Sequence, residues 1–479
     1  MTIVLDSLAD FTLEAAKAVA WNGRRVSLGP TALHTMQAAR ARFDALIDNP
    51  DIVIYGVTSG YGQQAKIRLS PEERKVHAAR LPKAPAASWG DPLPDRVARG
   101  IVFARLANFV EGHAAVSPDL AVAVARMLDD PEQPEVPARG QGGAGEILSL
   151  SHLFLPVLAQ VTPAEKDALS LINGSPAATG LVTDAALAAR SRLELACQVL
   201  ALTFEAFNAP LTHLDPGLDA LWNNPHDGWA LGRLRALLDA GHGGARRPYQ
   251  APVSFRILPR ILGQAHLATE IAEAVVAQSL MAVTDNPVLL PPDAANPHGR
   301  AISTGGYHNA QAPMAMDQIT AAYANLAVIA ERMCGKMLDE AISLLPAEVY
   351  SGPPDGRGYL GCLPMAAAGY AEEARGLATA TLLPGSETGG FGANDVASPV
   401  FLAWSKQDRA GMLLEHTLAS LAPIALRAFD VTERPVPGPL AQLAEQTRDH
   451  VPDRMDADTL GPSVGRLAEF FHATVFGGA

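Results

Sequence analysis

Three side chains in this sequence have the chemistry to bind and deprotonate a small organic acid. Tyr55 opens a glycine-rich segment that runs to Gly62 (YGVTSGYG), and a tyrosine placed beside cations can act as a general base although it is a weak one in water. Asn173 lies in the segment LINGS, and its amide can both donate and accept a hydrogen bond. Arg256 can hold a carboxylate through two parallel hydrogen bonds. We therefore predict that Tyr55, Asn173 and Arg256 are catalytic.

Each of the three also has a purely structural interpretation. Tyr55 could be a core tyrosine, Asn173 part of an Asn-Gly turn, and Arg256 a member of an ion pair. The glycines of the Tyr55 segment favour the functional interpretation, because glycine allows the close backbone approach that a binding loop requires. Gly62 is accordingly predicted to contact the substrate.

Other polar residues are candidates for the wall of the same pocket. A cation at Lys83 would face an acidic group of the substrate, and anions at Glu387 and Asp395 would face a cationic group, with ordinary surface charge as the alternative for each. Gln250 is expected to orient the substrate, and Tyr307 either lines the pocket or packs in the core. The predicted substrate-binding residues are Gly62, Lys83, Gln250, Tyr307, Glu387, Asn394 and Asp395.

The composition argues against several classes of protein. The formal net charge is -13 and no basic stripe occurs, which makes nucleic acid and anionic membranes poor partners. The three cysteines are widely spaced and form no CxxC pair, so neither a zinc site nor a disulfide framework is indicated. The chain has no HExxH or P-loop motif. We expect a small-molecule substrate, no metal and no nucleotide cofactor.

The N-terminal segment does not have the pattern of a signal peptide. Residues 1–10 contain two aspartates and no basic region, whereas a signal peptide begins with positive charge. Apolar runs such as Leu153–Val161 are short and interrupted by Pro156, so no membrane span is indicated. We expect a cytoplasmic protein.

Long helical patterns dominate the middle of the chain. They cover Asp184–Phe207, Gln264–Thr284 and Pro313–Glu340, with alanine on several faces, which is typical of helices buried on more than one side. Strand patterns are scarce. The sequence predicts an all-α bundle in which loop-rich residues 1–183 carry much of the site and residues 184–479 form the central and C-terminal helices.

Four segments, in this order, resemble motifs of the histidine/phenylalanine (aromatic amino acid) ammonia-lyase family. Tyr55–Gly62 is similar to the family's YGxxTGFG loop, and Arg139–His152 (RGQGGAGEILSLSH) falls where the family has GSVGASGDLAPLSH. Leu171–Ser175 is similar to LINGT, and Thr284–Pro287 followed by Gly305–His308 is similar to TDNP and GGNFH. The resemblance implies the long-helix bundle of that family, which is of the fumarase/aspartase-like type.

The second of these segments lacks the residue on which the family's cofactor depends. In the family an Ala-Ser-Gly tripeptide cyclises and dehydrates to methylidene-imidazolone, the electrophile to which the substrate amine is attached. Counted back from Ser151-His152, this chain has Gly143-Ala144-Gly145. Alanine has no β-hydroxyl to eliminate, so the resemblance implies a degenerate tripeptide and no cofactor.

Other site positions have changed together with Ala144. Glu146 replaces the family's aspartate, and Val253 stands at the second catalytic tyrosine of QDxYSLR. Pro85 falls near the position that selects histidine, and Asn394 near the glutamate of QEDHVS. An engineered Ser→Ala change would explain Ala144 alone, so the pattern favours natural loss of the cofactor.

The missing electrophile limits the reactions that the site could catalyse. Ammonia is a poor leaving group from a simple amino acid, whereas a quaternary ammonium is already activated and has no lone pair with which to attack a methylidene. The resemblance, together with the missing electrophile, implies a cofactor-independent carbon–nitrogen lyase that expels, for example, trimethylamine from a small amino-acid-derived betaine, with Tyr55 as the base. Ergothionase, a cofactor-less relative, works in this way on ergothioneine, yielding trimethylamine and thiourocanate.

Two alternatives stay open at this point. The same tyrosine could drive a cyclisation, isomerisation or conjugate addition on a biosynthetic intermediate. The chain could also be a non-catalytic paralogue, against which the retention of Tyr55, Asn173 and Arg256 argues. The resemblance further implies a homotetramer whose active sites are assembled from three chains. The identity of the substrate is left open.

Overall fold

The computed structural model describes residues 2–79, 83–158, 160–238, 246–247, 249–350, 352, 358–386, 392–453 and 459–477. Helices dominate these residues, which confirms the predicted all-α class. In chain order the helices are α1 Leu13–Ala20, α2 Pro30–Ile47, α3 Pro71–Ala78, α4 Asp95–Val110, α5 Pro118–Met127, α6 Ile147–Leu158, α7 Asp167–Ile172, α8 Pro176–Ala206, α9 Gly217–Trp222, α10 Pro225–Leu237, α11 Val253–Arg256, α12 Leu258–Leu280, α13 Gln311–Leu338, α14 Glu340–Ser343, α15 Leu363–Leu377, α16 Val400–Thr432, α17 Ala441–His450 and α18 Leu460–Val475.

The described strands are three residues long and form two separate two-stranded sheets. Strand β1 (Ile3–Leu5) pairs in parallel with β2 (Val26–Leu28). Strand β3 (Val288–Leu290) pairs antiparallel with β4 (Arg300–Ile302), with Val288 opposite Ile302. Among the described helices, none is long and apolar enough to cross a membrane.

The three predicted long helices are present, although each begins earlier than its periodic pattern. α8 starts at Pro176 rather than Asp184. Proline suits the first turn of a helix, and the free N–H groups of Ala177 and Ala178 in that turn donate to Glu146. α12 ends at Leu280 instead of reaching Thr284. α16, with Pro423 inside it, is a fourth long helix that the sequence patterns had not predicted.

The chain groups into two compact units. The first comprises Met1–Ala186, Ala272–Met316 and Ala380–Ser405. The second comprises Leu187–Ile271, Asp317–Thr379 and Lys406–Ala479. α8, α12, α13 and α16 each contribute residues to both units. The predicted domain boundary between residues 183 and 184 stays a prediction.

The core of the first unit is built around α4, which is buried continuously from Val97 to Val110. Small residues bring its backbone close to α8: a Cβ on Gly180 would lie only 2.7 Å from the backbone nitrogen of Ile101. Phe103 packs on Phe11 with ring centroids 4.9 Å apart. α4 therefore forms a rigid support for the segments around it.

The second unit contains a buried ion pair between two of its helices. The Arg192 Nε donates to Glu415 Oε1 at 2.7 Å, and both side chains are almost fully buried. His472 Nδ1 lies 2.8 Å from the other carboxylate oxygen. Although burial opposes ionisation, Arg192 and His472 lower the pKa of Glu415. The pair holds α8 to α16 within this unit.

Candidate active site

The Tyr55 segment is a glycine-dependent turn that packs on α7. The Gly62 N–H donates to Tyr55 Oη at 3.1 Å. Gly56 has a φ of +70°, and a Cβ there would lie 2.7 Å from Leu169 Cδ2, so only glycine fits. Ile54 and Leu169 belong to one buried apolar cluster. The turn is thereby held against the helix that leads to Asn173.

Asn173 follows the last residue of α7 and is held mainly through its backbone. Its carbonyl accepts a hydrogen bond from the buried guanidinium of Arg105, and its Nδ2 donates to Leu169 O at 3.1 Å. The next two residues are also restrained: Gly174 has a φ of +88°, and the Ser175 N–H donates to Thr284 Oγ1 at 3.0 Å. The chain is thus fixed between α7 and α8.

The tripeptide Gly143-Ala144-Gly145 lies in an irregular segment just before α6. Gly145 is buried with a φ of +70°, and a Cβ built there would be 3.1 Å from Tyr307 Cδ2. On the preceding side, Ser386 Oγ donates to the Gly142 carbonyl at 3.2 Å. The structure therefore brings Tyr307, a predicted pocket residue, against the predicted tripeptide.

Glu146, directly after the tripeptide, binds the first turn of α8. Its two carboxyl oxygens accept hydrogen bonds from the Ala177 N–H at 2.6 Å and the Ala178 N–H at 2.7 Å. Burial raises the pKa of Glu146 to about 8, although both N–H donors and Arg105 act in the opposite direction. The free N–H groups at the start of a helix are natural hydrogen-bond donors to such a carboxyl group.

Arg105 is fully buried beneath these segments. Burial lowers its pKa to about 10, opposed by Asp285 and Glu146. Its Nε and Nη1 have no hydrogen-bond partner among the described residues, while its guanidinium lies 5.7 Å from the Phe109 ring centroid. Arg105 thus places a positive charge directly behind Asn173.

A second buried cation, Lys166, is paired with Asp285. The Lys166 Nζ donates to Asp285 Oδ2, to Ser170 Oγ at 2.7 Å and to Ala114 O at 2.6 Å. Burial lowers the pKa of Lys166, and Asp285 opposes that shift. The neighbouring Thr284 donates through its N–H and its hydroxyl to Asn108 Oδ1, each at 2.8 Å. The Thr284–Pro287 motif is therefore anchored by buried polar groups.

The remaining predicted residues are placed as follows. Lys83 is exposed, Asn394 is half-buried, and Asp395 is exposed, with its backbone carbonyl accepting from the Ser386 N–H at 3.1 Å. Glu387 lies outside the described residues. The second unit holds Gln250, which is exposed, and Arg256, which is half-buried in α11 and donates through Nε to Ala251 O at 3.0 Å.

The first unit thus contains Tyr55, the tripeptide, Asn173 and Tyr307, together with buried charges that the sequence analysis did not name. Arg105 and Lys166 are the main additions. The sequence does contain one sign that Arg105 is buried: it is a charged residue within the apolar helical pattern formed by Val102, Leu106 and Phe109. Charged side chains are rarely fully buried unless structure or chemistry requires it.

Comparison with known proteins decides the family. The sequence model of the family described as aromatic amino acid lyase matches residues 11–162 and 157–451. The chain belongs to the aromatic amino acid lyase family. The histidine ammonia-lyase of Streptomyces coelicolor is 30% identical over 370 residues, which cover 71% of each chain. That of Anaeromyxobacter dehalogenans is 28% identical over 382 residues, 72% of this chain and 74% of the relative.

Solved structures agree with the family on the fold. An ergothioneine-degrading ergothionase from Treponema denticola, in complex with desmethyl-ergothioneine sulfonic acid, superposes with a TM-score of 0.86 at 17% identity, covering 99% of both chains. A tyrosine aminomutase from Streptomyces globisporus has a TM-score of 0.85 at 24% identity, covering 99% of this chain and 98% of that one. Family membership supports a carbon–nitrogen lyase that acts on a small amino-acid-derived substrate.

Proposed function

We propose that this family member is a cofactor-independent lyase that eliminates an already activated amine from a small amino-acid-derived betaine. The observation that carries the proposal is Ala144 at the centre of the tripeptide Gly143-Ala144-Gly145. A primary amine requires covalent activation before it leaves, whereas a quaternary ammonium does not. The similarity to ergothionase concerns the fold, and ergothioneine, the compound that ergothionase degrades, is the first compound to try.

The residues of the tripeptide do not fit a methylidene-imidazolone. Formation of its exocyclic methylene requires loss of a β-hydroxyl, and Gly143, Ala144 and Gly145 have none. The buried contacts around them involve the backbone and the neighbouring side chains Tyr307 and Glu146. We therefore assign no step of the reaction to that group.

In the proposed reaction Tyr55 is the general base. Its phenolate oxygen takes the proton from the carbon next to the one that bears the ammonium group. The electrons of the broken C–H bond form the carbon–carbon double bond, and the C–N bond breaks with its electron pair leaving on trimethylamine. The Gly62 N–H, 3.1 Å from Tyr55 Oη, supports the base because a donor to that oxygen stabilises negative charge on it.

The carboxylate of the substrate would be held by Arg256, oriented by Gln250. We propose that these residues reach the Tyr55 region of another chain in a homotetramer. Exposed apolar side chains on long helices support the proposal: Met314 is 54% exposed in the single chain and Leu402 59%, and such side chains are usually covered in an assembly. Light scattering should then give four times the chain mass of 50.3 kDa, and a monomeric mass would contradict it.

The test of the proposed function is a substrate panel with two separate readouts. Ergothioneine and the trimethyl betaines of histidine, phenylalanine and tyrosine are incubated with the enzyme, and trimethylamine is measured. We expect trimethylamine from at least one betaine, and no ammonia from the corresponding free amino acids. Intact mass should equal that calculated from the sequence. Ammonia from free histidine, or a mass lower by two waters, would refute the cofactor-independent reaction.

The same panel separates the second candidate reaction. If every betaine is inert and an unsaturated acid is instead cyclised or isomerised, Tyr55 acts as a base without a leaving amine. If nothing turns over but substrate-like acids bind, the chain is a binding paralogue. Both results would overturn the lyase proposal.

A further inference from the structure

Two histidines and a glutamate of the second unit converge at one point on α10 and α12. His226 lies in the first turn of α10, and His266 and Glu270 are four residues apart on α12, a spacing that puts them on one helix face. The two Nδ1 atoms of His226 and His266 are 3.1 Å apart, and His226 Nδ1 is 3.4 Å from Glu270 Oε2. One ligand atom from each residue can be chosen so that all lie within 4.8 Å of one another.

These separations are those of donors around a small cation. Two imidazole nitrogens, each about 2.0–2.1 Å from a tetrahedral zinc ion, are about 3.3 Å from each other. The donor set of two imidazoles and one carboxylate suits borderline ions such as Zn²⁺, and it is a poor match for Mg²⁺ or Ca²⁺, which prefer oxygen.

The surroundings orient the donors and leave a route for the ion. The His266 ring is stacked on Trp229, with centroids 4.0 Å apart and an interplanar angle of 7°, which restricts its rotation. The histidine side chains are 18% exposed and that of Glu270 is 52% exposed. An oriented pair of imidazoles beside a solvent-accessible carboxylate can take up an ion without rearrangement of the helices.

We propose that His226, His266 and Glu270 bind one divalent transition-metal ion, with water completing the coordination, and that the ion joins α10 to α12. None of these residues takes part in the proposed elimination. A negative result for the metal site would therefore leave the proposed lyase reaction unaffected, and the reverse also holds. Without metal, the two imidazoles form a hydrogen bond, with one ring as donor and the other as acceptor, next to Glu270.

The experiment uses the full-length chain with any affinity tag removed, after treatment with a chelator and dialysis. ZnCl2 is titrated calorimetrically into the wild type, His226→Gln and Glu270→Gln. His34→Gln is the matched control, because His34 is an exposed helical histidine outside the cluster. Co²⁺ is used in parallel, because its visible absorption reports the coordination geometry.

We expect one ion per chain in the wild type and in His34→Gln. Affinity should fall by at least about tenfold in His226→Gln and Glu270→Gln. Zinc should also raise the unfolding temperature of the wild type more than that of His226→Gln, because a ligand that binds only the folded state stabilises it. Equal affinity in the wild type and His226→Gln, or loss of binding in His34→Gln, would overturn the site. Thermal unfolding and helical content are measured for each metal-free variant to identify any variant that has not folded. If one of the two cluster variants has not folded, the zinc affinity of the other tests the site.

Discussion

The tripeptide segment contacts the start of α8 through Glu146, and the Asn173 segment leads into the same helix, but the two segments are held in different ways. The tripeptide is fixed from outside, by Glu146 on the first turn of α8 and by Tyr307 against Gly145. Asn173 is fixed through its own backbone, by the guanidinium of Arg105. None of these contacts depends on a side chain at position 144. A serine can therefore be absent there while the segment keeps its conformation.

This difference distinguishes residues with a proposed chemical function from residues that hold the segments in place. In the proposed enzyme Tyr55 retains a chemical function, whereas Glu146, Arg105 and the Lys166–Asp285 pair hold the segments in place. Variants of the first kind should lose turnover and keep stability. Variants of the second kind should lose stability first.

The largest effect is expected for Tyr55→Phe. Removal of a general base costs about 100- to 10,000-fold in rate, and kcat on the active betaine should fall by about that factor. The fold should persist, because among the described residues the change removes only the acceptor of the Gly62 N–H bond. Steady-state kinetics and the unfolding midpoint are measured together.

Tyr61→Phe is the control for this variant. Tyr61 lies in the same segment, is 37% exposed and packs on His77 with centroids 4.9 Å apart. It should retain most of the activity. Full activity in Tyr55→Phe would show that Tyr55 is not the base.

Lys166→Met should have the largest effect on stability. The change leaves Asp285 buried with its charge no longer compensated, and breaking a buried pair in this way costs about 3–5 kcal/mol. The free energy of unfolding in urea is the measurement. The double variant Lys166→Met/Asp285→Asn should recover a large part of the loss, because neither charge remains. A double variant as unstable as the single one would show that the pair is not the cause.

How far the sequence predicts this molecule depends on the range of the contacts. The long helices follow from local periodicity, and the family from four motif segments, and both are confirmed. The partners of the buried charges could not be predicted. Lys166 and Asp285 are 119 residues apart and Arg105 and Asn173 are 68 apart, and only the folded chain brings them together.

The same limit applies to metal binding. No metal was expected, because no histidines cluster in the sequence. His226 and His266 are 40 residues apart and meet only through the packing of α10 on α12. The site assignments of Tyr55, Asn173 and Arg256 stay predictions, since they concern chemistry that a fold alone does not test.

Glu146→Gln should reduce stability by about 1–3 kcal/mol, because the side chain then has one acceptor for two N–H donors. The pH dependence of this loss of stability is a more specific test of Glu146. The pKa of Glu146 is raised from an ordinary value of 4.5 to about 8, so the native state binds more protons than the unfolded state between these values. The stabilisation is fully present below about pH 4.5 and is lost as the pH rises through 8.

Urea unfolding of the wild type and Glu146→Gln at pH 5, 6.5 and 8 provides the measurement. The difference in unfolding free energy between the two should shrink as the pH rises. Glu165→Gln, a partly exposed carboxylate that pairs with Arg40, serves as the control and should not show this trend. A difference that stays constant or grows over this range would show that the pKa of Glu146 is not raised in the folded protein.

The smallest effect is expected inside the tripeptide itself, and it distinguishes the two ways of holding a segment most directly. Gly145→Ala should cost about 1–2 kcal/mol, because its φ of +70° is unfavourable for alanine and its Cβ would lie 3.1 Å from the Tyr307 ring. Gly143→Ala should change stability much less, since its Cβ would meet Ile147 and Leu148 at 3.6 Å, an ordinary contact. Urea unfolding of the two variants measures the contrast. If Gly143→Ala is as destabilising as Gly145→Ala, the tripeptide is constrained along its whole length, and external anchoring by Glu146 and Tyr307 does not explain why an alanine is tolerated at its centre.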